Sequence, residues 1–590
     1  MCWRERTMST YEPFTGYLSR RSVLRRGFAV GAGLTGAALI GCSSGPKKSV
    51  NENAAAGGAA APKAPELSKE RDGMPVVKGT PKKGGTFTVA ATETYVQHDQ
   101  HTAVSNSEWV VIGERAIELD EFSGKLRPNL VESWENPDKN TYIFKVKKGV
   151  KLHNKAPWNG REFDAEDLAF NLNRIAGNTA DAEKLPKGNF QRSTTLEGVG
   201  KIEVIDKSTV KVTMAKVNSA LLNGITEIRN VMMPKGIVEV GFKDPMKFAG
   251  TAPFQMAESV EGTRQSYSRF EGYYRPNEPY FDKVVQTVIP DRAATLAAFV
   301  SKQISVLSSP TGQEIKTIQS ARQDALLYSY VAVNYNFVMF NLKHKPFQDF
   351  RVRKALNMAT DYEDIANGFH GSGWGWMAAF HQAFPEAWQD AKVKSIPGIN
   401  PATKAKDREE AAKLLAAAGY TNGDKLEFDI MHKPKAESRE NALRFQAQMT
   451  KLFPGIKIVI KAPETAVFDK AQASKDFQAI SNDSTMNPDA VLEGYARWHS
   501  QGSRNYGGFA DPKADALLEK ALGETDLKLR ADILNDFQQQ YVDAFLPQVN
   551  FYATPQRHFV QPDVGGFDKV FGPWDSLRGV TQKLGRIYNV

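Results

Sequence analysis

The chain has only two cysteines in 590 residues, Cys2 and Cys42. Both lie near the N-terminus, which excludes a disulfide framework for the rest of the chain. Long apolar segments are lacking as well. The apolar run at 27–41 is rich in Gly and Ala, and at about 15 residues it is too short to cross roughly 30 Å of hydrocarbon comfortably. We therefore expect neither a disulfide-stabilised scaffold nor a membrane-spanning helix.

Basic charge is too dispersed for a nucleic-acid-binding protein. The formal net charge is +9, and six arginines against two glutamates place +4 of it in residues 1–41. The remainder contains no stripe of Lys and Arg interleaved with aromatic residues, which is the usual footprint of a nucleic-acid surface. We expect no nucleic acid among the partners.

Signatures of catalysis are also missing. From residue 46 onward the sequence has no Gly-x-Ser-x-Gly, and the whole sequence has no His-Glu-x-x-His and no phosphate-binding Gly-x-x-x-x-Gly-Lys-Ser/Thr. His98, Asp99 and His101 come nearest to a metal-ligand set, but no fourth group accompanies them. We expect a protein that is not an enzyme and holds no cofactor or metal. A surface hydrolase is the alternative from another class, because sequence cannot show whether two carboxylates flank a scissile bond.

The N-terminus resembles an export signal. Arg20 and Arg21 precede the apolar run and resemble the twin-arginine export signal of bacteria, although Val23 replaces the phenylalanine that is common there. Residues 39–42 resemble a bacterial lipobox. That resemblance implies that Cys42 is lipidated once the residues before it are removed. A plain secretory signal is the alternative.

A tether is expected between this anchor and the folded body. Residues 42–80 are rich in Ala, Gly, Pro, Ser and Lys. Such a segment buries too little apolar surface to offset the entropy of ordering it, so it should be disordered. Together with the export signal, it predicts an extracytoplasmic protein that is lipid-anchored to the cell membrane or lies in the periplasm.

Strand-like and helix-like patterns alternate from residue 84 onward, which predicts an α/β body. Residues 141–146 alternate in polarity, as in a half-buried strand. Residues 164–175 begin with an Asp at the N-cap and carry acids in the first turn, as in an amphipathic helix. A second helix is predicted at 407–418, with Gly419 as its end.

Several blocks of this body resemble the large extracytoplasmic solute-binding proteins of ATP-driven importers, which include oligopeptide-, dipeptide- and nickel-binding proteins. The blocks keep the family's order and are 84–87, 126–134, 142–144, 148–153, 163–170, 250–254, 346–356, 411–420 and 505–509. The resemblance implies a three-lobed periplasmic-binding-protein-like α/β fold with mixed sheets and a ligand cleft between lobes one and three. It also implies a monomer that delivers a small-molecule solute to ABC permease subunits.

The resemblance further implies a division of the chain. The expected segments are 1–41 export signal, 42–80 tether, 81–127 first part of lobe one, 128–231 lobe two, 232–333 second part of lobe one, 334–551 lobe three and 552–590 third part of lobe one. The chain should cross between lobes one and three near 333–335 and 550–552, where a hinge is expected.

Three stretches are candidate cleft walls. They are the loop after the first strand, a segment at 369–381 in which glycines alternate with tryptophans, and a polar run at 481–489. Aromatic faces can stack on a ligand, or they can simply pack a loop. The ligand-binding candidates from these stretches and the segment that follows the third are Tyr95, Asn106, Trp109, Trp374, Trp376, Asp483, Ser484 and Trp498.

The polar run departs from the family pattern. Peptide-binding members carry an aspartate four residues before a proline, and this aspartate pairs with the ligand's ammonium group. Here the proline is Pro488 and the matching position is Ser484, with Asp483 one residue earlier. A serine cannot replace a carboxylate opposite a buried ammonium, because an unpaired buried charge costs several kcal/mol. A peptide-like solute is the main expectation, and an oligosaccharide, a glycoside or a metal chelate is the alternative.

Overall fold

A computed structural model describes residues 67–69, 74–104, 106–185, 189–574 and 583–590. The expected export signal with Arg20 and Arg21, and the lipidation site Cys42, lie outside the described residues. Among the described helices, none combines the length and apolar character needed to span a bilayer.

The described strands are β1 (Leu67–Lys69), β2 (Pro75–Val77), β3 (Thr86–Ala91), β4 (Ile117–Leu119), β5 (Leu126–Pro128), β6 (Val131–Asp138), β7 (Thr141–Val146), β8 (Val199–Asp206), β9 (Thr209–Met214), β10 (Phe254–Val260), β11 (Arg264–Arg269), β12 (Lys283–Val288), β13 (Val306–Ser308), β14 (Leu326–Phe340), β15 (Glu427–His432), β16 (Lys457–Lys461), β17 (Ala479–Thr485), β18 (Gln548–Val560), β19 (Val564–Gly565) and β20 (Tyr588–Asn589).

The described α-helices are α1 (Trp109–Ile112), α2 (Ala165–Ala176), α3 (Ala180–Glu183), α4 (Leu221–Ile225), α5 (Ile237–Val240), α6 (Arg292–Val300), α7 (Gly312–Ala321), α8 (Lys345–Gln348), α9 (Phe350–Ala359), α10 (Tyr362–His370), α11 (Asp390–Val393), α12 (Lys404–Ala417), α13 (Ala436–Leu452), α14 (Thr465–Ser474), α15 (Ala490–Trp498), α16 (Pro512–Gly523) and α17 (Leu527–Gln540). Strands and helices alternate along much of the chain, so the α/β prediction is confirmed.

A ten-stranded mixed sheet with the order β10-β11-β12-β3-β13-β18-β14-β17-β15-β16 forms the framework of the body. The strands β12 and β13 run parallel to β3, and β15 runs parallel to both β16 and β17. The two long central strands, β14 and β18, pair antiparallel along much of their length. They carry the chain from one half of the sheet to the other.

The pairing of the central strands is interrupted where the two halves of the sheet meet. The register slips between Val331 and Tyr335 on β14, opposite Pro555 and Ala553 on β18. Because a bulge bends a strand and removes ladder hydrogen bonds, this is the point where the sheet can flex. On β14 the slip lies at the expected hinge, 333–335, and on β18 it lies just beyond 550–552.

The buried apolar residues fall into separate clusters on either side of that slip. One cluster draws on residues 74–332 and 560–587, whereas two others draw almost entirely on residues 333–552. The two sides are also in contact beyond the two strands, because Ala220 of the expected lobe two lies in one of the latter clusters and the Ser219 amide donates to the Leu522 carbonyl oxygen at 2.9 Å. The lobe boundaries themselves stay an expectation.

A smaller antiparallel sheet, β6-β7-β9-β8, lies in the segment expected to form lobe two. Helix α2 packs against it, with Leu168 and Leu172 in the shared core. The side chain of Asp164 accepts hydrogen bonds from the Glu166 and Asp167 amides and so caps the helix. The predicted strand at 141–146 is β7, and the predicted helix at 164–175 is α2.

The folded body begins earlier than the expected tether allows. The tether was expected to run to residue 80, but β2 lies at Pro75–Val77, and Met74 and Val77 are buried in the first core cluster. Two apolar residues within a Pro- and Lys-rich stretch are enough to dock this strand, which composition alone does not reveal.

Candidate functional site

A cavity lies where the three expected lobes meet. Its free volume is about 20 Å³, room for about one water molecule. Its walls come from Arg115 and Leu119, from residues 226–228, from Val333 at the hinge, from residues 485–488, and from Pro573 and Trp574. We refer to this space as the interlobe cavity.

The walls are fixed by hydrogen bonds between distant parts of the chain. Arg115, two residues before β4, donates from Nη1 to the Thr226 carbonyl oxygen at 2.8 Å. The Val333 amide donates to the Pro573 carbonyl oxygen at 2.9 Å, which holds the Trp574 loop against the hinge. Thr485 ends β17, so the sheet sets the position of that wall.

A second cavity, of about 60 Å³, lies wholly within residues 354–550. It is lined by residues such as Met358, Tyr362 and Tyr541, and none of its lining residues comes from the other expected lobes. Movement of the lobes would therefore leave it unchanged. Of these two cavities, the interlobe cavity is the one whose lining residues come from all three expected lobes, and it is our candidate ligand site.

The lobe-two side of the interlobe cavity carries a buried ion cluster. Glu227 accepts a hydrogen bond from Arg229 Nε at 2.8 Å and lies 4.0 Å from Arg192 Nε. Burial alone would raise the pKa of Glu227, but Arg229 and Arg192 outweigh this and lower the pKa to about 2. Glu227 is therefore an anion at any physiological pH.

The lobe-three side carries a second buried cluster around Glu493. Its carboxylate accepts hydrogen bonds from Arg497 Nε and from the Asn487 amide at 2.8 Å, and it lies 3.4 Å from Arg504 Nη2. Burial raises the pKa of Glu493, but Arg497 and Arg504 outweigh burial and lower it. Arg504 also donates to the Thr485 carbonyl oxygen at 3.0 Å, directly behind the cavity wall.

The two clusters meet through polar contacts between the expected lobes two and three. Tyr506 donates its hydroxyl hydrogen to Gln191 Oε1 at 2.7 Å. Thr194 Oγ1 and Ser503 Oγ lie 2.9 Å apart. The lobes are thus in contact beside the cavity, and the contacts are hydrogen bonds between side chains that could also be made to water.

None of the eight predicted ligand-binding residues lines the interlobe cavity, and Ser484 comes nearest to it along the chain. It precedes Thr485 on β17, and its Oγ accepts a hydrogen bond from Arg497 Nη2. Asp483, one residue earlier, lies on the face of β17 opposite to Ser484, which is the face of Thr485, because neighbouring side chains alternate across a sheet. There it pairs with Lys435 Nζ at 2.9 Å.

The first predicted wall packs inside its own lobe. Trp109 is fully buried and stacks on Phe248 at a ring-centroid distance of 5.0 Å, and its Nε1 donates to the His98 carbonyl oxygen at 3.1 Å. Tyr95 packs against the same core. Asn106 is half-buried, and its Oδ1 has no hydrogen bond to the described residues. None of the three lines the interlobe cavity.

The predicted tryptophan wall lies beside the register slip of the central strands. Gly375 exchanges two backbone hydrogen bonds with Ala553 of β18, at 3.1 and 2.8 Å, so the loop is attached to the point where the register slips. Trp374 and Trp376 contact each other edge to face with centroids 4.8 Å apart. Trp376 is buried, whereas Trp374 is half-exposed.

The remaining tryptophan candidate, Trp498, is a core residue. It is 1% exposed and packs against Phe380, Phe537 and Tyr541, with centroids 5.0–5.7 Å apart. A ligand could reach it only by displacing that core.

Several residues of the candidate site were not predicted from the sequence. Trp574 forms part of the cavity wall, and Arg115 and Glu227 line it, yet each lies in an irregular segment with no recognisable pattern. One signal was available: Glu493 and Arg497 lie four residues apart in a helix whose nine residues are all buried. A charged pair inside an apolar helix indicates a buried ion pair.

The sequence offered His98, Asp99 and His101 as its nearest approach to a set of metal ligands, and in the structure these residues interact with other groups. Arg174 forms a bidentate pair with Asp99, at 2.8 and 2.6 Å. His98 Nδ1 contacts Glu108 at 3.0 Å. His101 Nε2 contacts the Val231 carbonyl oxygen at 3.0 Å. Within the part of the chain that the structure describes, no group of three or more His, Cys, Asp or Glu residues is arranged to hold a metal ion.

Comparison with known proteins identifies a family that matches this chain. The family described as "Bacterial extracellular solute-binding proteins, family 5 Middle" matches residues 125–506. The heme-binding protein A of Haemophilus influenzae is 25% identical over 447 residues, which cover 72% of this chain and 78% of that protein.

Solved structures share the fold. The ABC transporter-associated periplasmic binding protein DppA from Helicobacter pylori, in complex with the peptide STSA, superposes with a TM-score of 0.76 at 19% identity, covering 86% of this chain and 98% of that one. The binding protein AgaA from A. tumefaciens R10, in complex with agropinic acid, gives a TM-score of 0.74 at 22% identity over 86% of this chain and 99% of that one. The expected periplasmic-binding-protein-like α/β fold is confirmed.

Proposed function

This chain belongs to the bacterial extracellular solute-binding proteins of family 5, and on that basis we propose that it captures a peptide-like solute in the interlobe cavity and delivers it to an ATP-driven importer. The observation that carries the proposal is the cavity itself, whose walls come from segments on both sides of the hinge. A cavity with walls on both sides of a hinge is open to solvent when the lobes separate and is closed off from solvent when the lobes come together.

Closure gives binding its strength. When the lobes close over a solute, water leaves the cavity, and each remaining polar contact is stronger in the drier environment. The Val333 and Pro573 wall lies beside the register slip of β14, so a solute there would contact the segment that we propose as the hinge. The closed shape would then be the form that the permease subunits recognise.

The supporting residues of the N-terminus complete the proposal. The pair Arg20 and Arg21 would direct export, and a lipid on Cys42 would hold the protein at the membrane surface. A monomer suffices for this role, because the chain contributes every wall of the cavity. Replacement Cys42→Ser should move the protein from the membrane fraction to the soluble fraction. Persistence of the variant in the membrane fraction would contradict the lipid anchor.

Ligand-dependent stabilisation tests the central proposal. The folded body, titrated with a panel of di- to pentapeptides, should gain stability as RT ln(1 + [L]/Kd), which is about 2.7 kcal/mol at one hundred times Kd. The peptides should be recovered unchanged. Conversion of a peptide to products would favour the hydrolase, and stabilisation only by an oligosaccharide panel or by metal chelates would favour the other solute classes.

A further inference from the structure

A chain of hydrogen bonds between polar side chains crosses the three central strands of the large sheet. We call it the polar ladder, and its members in order are Glu437, Asn336, Thr554, Asn334 and Thr485. The three middle members are at most 5% exposed. Glu437 lies in the first turn of α13, and Thr485 lines the interlobe cavity. The ladder therefore connects a helix of the expected lobe three to the wall of the candidate site.

Glu437 fixes the direction of the hydrogen bonds at one end of the ladder. Its Oε1 accepts from Asn336 Nδ2 and from the Tyr552 hydroxyl, both at 2.9 Å, and His370 Nε2 lies 2.6 Å from the same atom. Because a carboxylate oxygen only accepts hydrogen bonds, the Asn336 amide has to point its nitrogen toward Glu437. Asn441 supports this orientation, since its Nδ2 donates to Asn336 Oδ1 at 3.1 Å.

The direction of each later hydrogen bond follows from that orientation. Asn336 Nδ2 also donates to Thr554 Oγ1 at 2.9 Å. The Thr554 hydroxyl donates its own hydrogen to Asn334 Oδ1 at 3.0 Å, which leaves Asn334 Nδ2 to donate to Thr485 Oγ1 at 3.2 Å. An inverted Asn334 amide would leave the hydroxyl hydrogen of Thr554 buried and without an acceptor among the described residues, which is costly.

Thr485, at the other end, is left with a hydrogen to donate. Its Oγ1 accepts from Asn334, and within the described part of the chain its hydroxyl donates to no acceptor. Thr226, the other threonine of the cavity wall, differs, because its Oγ1 donates to the Asn223 carbonyl oxygen at 2.7 Å. While the lobes are apart, water can accept the hydrogen of Thr485. Once closure has excluded water, the acceptor has to come from the solute.

From this arrangement we propose that Thr485 is a specificity-determining residue whose hydroxyl donates a hydrogen bond to a carbonyl oxygen of the solute, and that Glu437 is a positioning residue that fixes this direction through the polar ladder. This assignment rests on the proposed function and adds a requirement for the solute within it. A solute that presents an N–H group at the same place would leave the hydrogen of Thr485 unpaired in a dry cavity, which weakens binding.

The ladder also lies where the two central strands lose their register. Asn334 falls within the register slip of β14, and Thr554 lies opposite it on β18. A bulge interrupts the backbone hydrogen bonds between two strands, and the ladder joins the strands through side chains at that point. Because a buried polar network is costly when it is only partly satisfied, the ladder holds Thr485 in one orientation beside the expected hinge.

Calorimetric titration of the protein with alanine peptides tests the contact made by Thr485. The probes are the series from di- to penta-alanine, and the tightest binder is compared with analogues in which one carbonyl oxygen at a time is replaced by sulfur, a poorer acceptor. At least one analogue should bind at least about fivefold more weakly than the peptide. The same replacement should cost nothing in Thr485→Val, which lacks the hydroxyl, whereas Thr485→Ser should keep the loss.

Two results would contradict the contact, and they are distinguishable. If every analogue loses as much affinity for Thr485→Val as for the parent protein, the hydroxyl does not bind a carbonyl oxygen, and the proposed function stands without it. If none of the alanine peptides binds the parent protein, the proposed function is overturned together with the role of Thr485.

A double-mutant cycle tests the positioning role of Glu437. Glu437→Gln keeps the size of the side chain but can turn either end of its amide toward Asn336, so the direction of the ladder is no longer fixed. Peptide affinity should fall at least about threefold in the parent protein and should fall no further in the Thr485→Val background, because Glu437 acts through that hydroxyl. Glu440→Gln, on the exposed face of the same helix, is the matched control and should bind like the parent.

Equal losses from Glu437→Gln in both backgrounds would restrict Glu437 to stabilising the fold and would contradict its positioning role. If Thr485→Val does not fold, Glu437→Gln still decides. The sulfur replacement that weakens binding to the parent protein should then cost less in Glu437→Gln, and an undiminished cost would overturn the link between Glu437 and the solute.

Discussion

Glu493 and Arg497 form an ion pair one helical turn apart in α15, and both side chains are almost completely buried. The same sequence relationship occurs on the surface of α13, where Glu440 pairs with Arg444 and both are about one-third exposed. The chain therefore contains two Glu–Arg pairs of identical spacing that differ in burial.

Removal of the buried carboxylate should be far more costly than removal of the exposed one. Glu493→Gln leaves Arg497 and Arg504 without their shared counter-charge, and we expect the free energy of unfolding to fall by about 3–5 kcal/mol. Glu440→Gln should lower it by less than about 1 kcal/mol. Urea denaturation of both variants measures the difference. Similar losses of stability in the two variants would contradict the larger cost that we expect for removing the buried carboxylate.

Replacement of Trp498 should destabilise the protein more than replacement of Trp374. Trp498→Ala leaves a large hole among Phe380, Phe537 and Tyr541 and should lower the free energy of unfolding by about 3–5 kcal/mol. Trp374→Ala removes a half-exposed ring whose Nε1 donates to Asn367 at 2.8 Å, and the loss should be about 1–2 kcal/mol.

Peptide affinity of the Trp374→Ala variant decides whether that ring also contacts the solute. A loss of about 1–3 kcal/mol in binding free energy would support the stacking role expected from the sequence. An unchanged Kd would restrict Trp374 to packing the hinge loop.

His153 should make stability depend on pH. Its Nε2 contacts the Ala252 carbonyl oxygen at 2.8 Å, and its Nδ1 accepts from the Gly250 amide at 3.2 Å. Burial lowers its pKa from 6.5 to about 3, so the unfolded chain binds the proton first. Its contribution to stability is complete above pH 6.5 and is lost as the pH falls toward 3, by up to about 1.4 kcal/mol per pH unit.

Two variants check the sign of this effect in denaturant unfolding at pH 7 and pH 5. His153→Gln should reduce the loss of stability between the two values. His98→Gln should increase it, because the hydrogen bond to Glu108 raises the pKa of His98 and its contribution grows as the pH falls. Identical pH dependence in both variants and the parent protein would contradict the assignment.

A disulfide across the lobes should trap the closed state. Thr194 Oγ1 and Ser503 Oγ lie 2.9 Å apart, and the chain has no cysteine after Cys42, so a Thr194→Cys, Ser503→Cys pair can oxidise without competition in the body. Release of a bound peptide from the oxidised pair should slow at least about tenfold, because the lobes must separate before the solute can leave.

Reduction should restore the parent rate, and the single variant Ser503→Cys should behave like the parent throughout. Equally fast release from the oxidised pair would show that solute exchange does not need the contact between Thr194 and Ser503 to open.

Local signals predicted the secondary structure well. The period-two alternation placed a strand at 141–146, where β7 lies, and the Asp164 N-cap placed the start of α2. The helix expected at 407–418 is α12, and it begins earlier, at Lys404. There Asp407 does not cap the helix; it accepts hydrogen bonds from the Gly398 amide and Thr403 Oγ1. These features depend on residues within a few positions of each other, which is why sequence reveals them.

The site could be predicted only in part. The polar run at 481–489 includes Thr485, Met486 and Pro488, which line the interlobe cavity, whereas the residues chosen from it as ligand contacts, Asp483 and Ser484, do not. Arg115, Glu227 and Trp574 escaped notice because each contributes one side chain from a different part of the chain. Trp109 and Trp498 were candidates because they are large and aromatic, and that property suits a core as well as a cleft.

The sequence by itself determined that this chain alternates strands and helices, lacks a disulfide framework in its body, and follows the block order of solute-binding proteins. Each of these properties depends on residue types and on their order along the chain. It can therefore be identified without knowing how far apart two residues lie in space. Only the tertiary structure decided which charges face one another. Arg192 and Arg229 lie at Glu227, and Arg497 and Arg504 lie at Glu493. A Coulomb interaction depends on separation in space, which the order of residues does not specify.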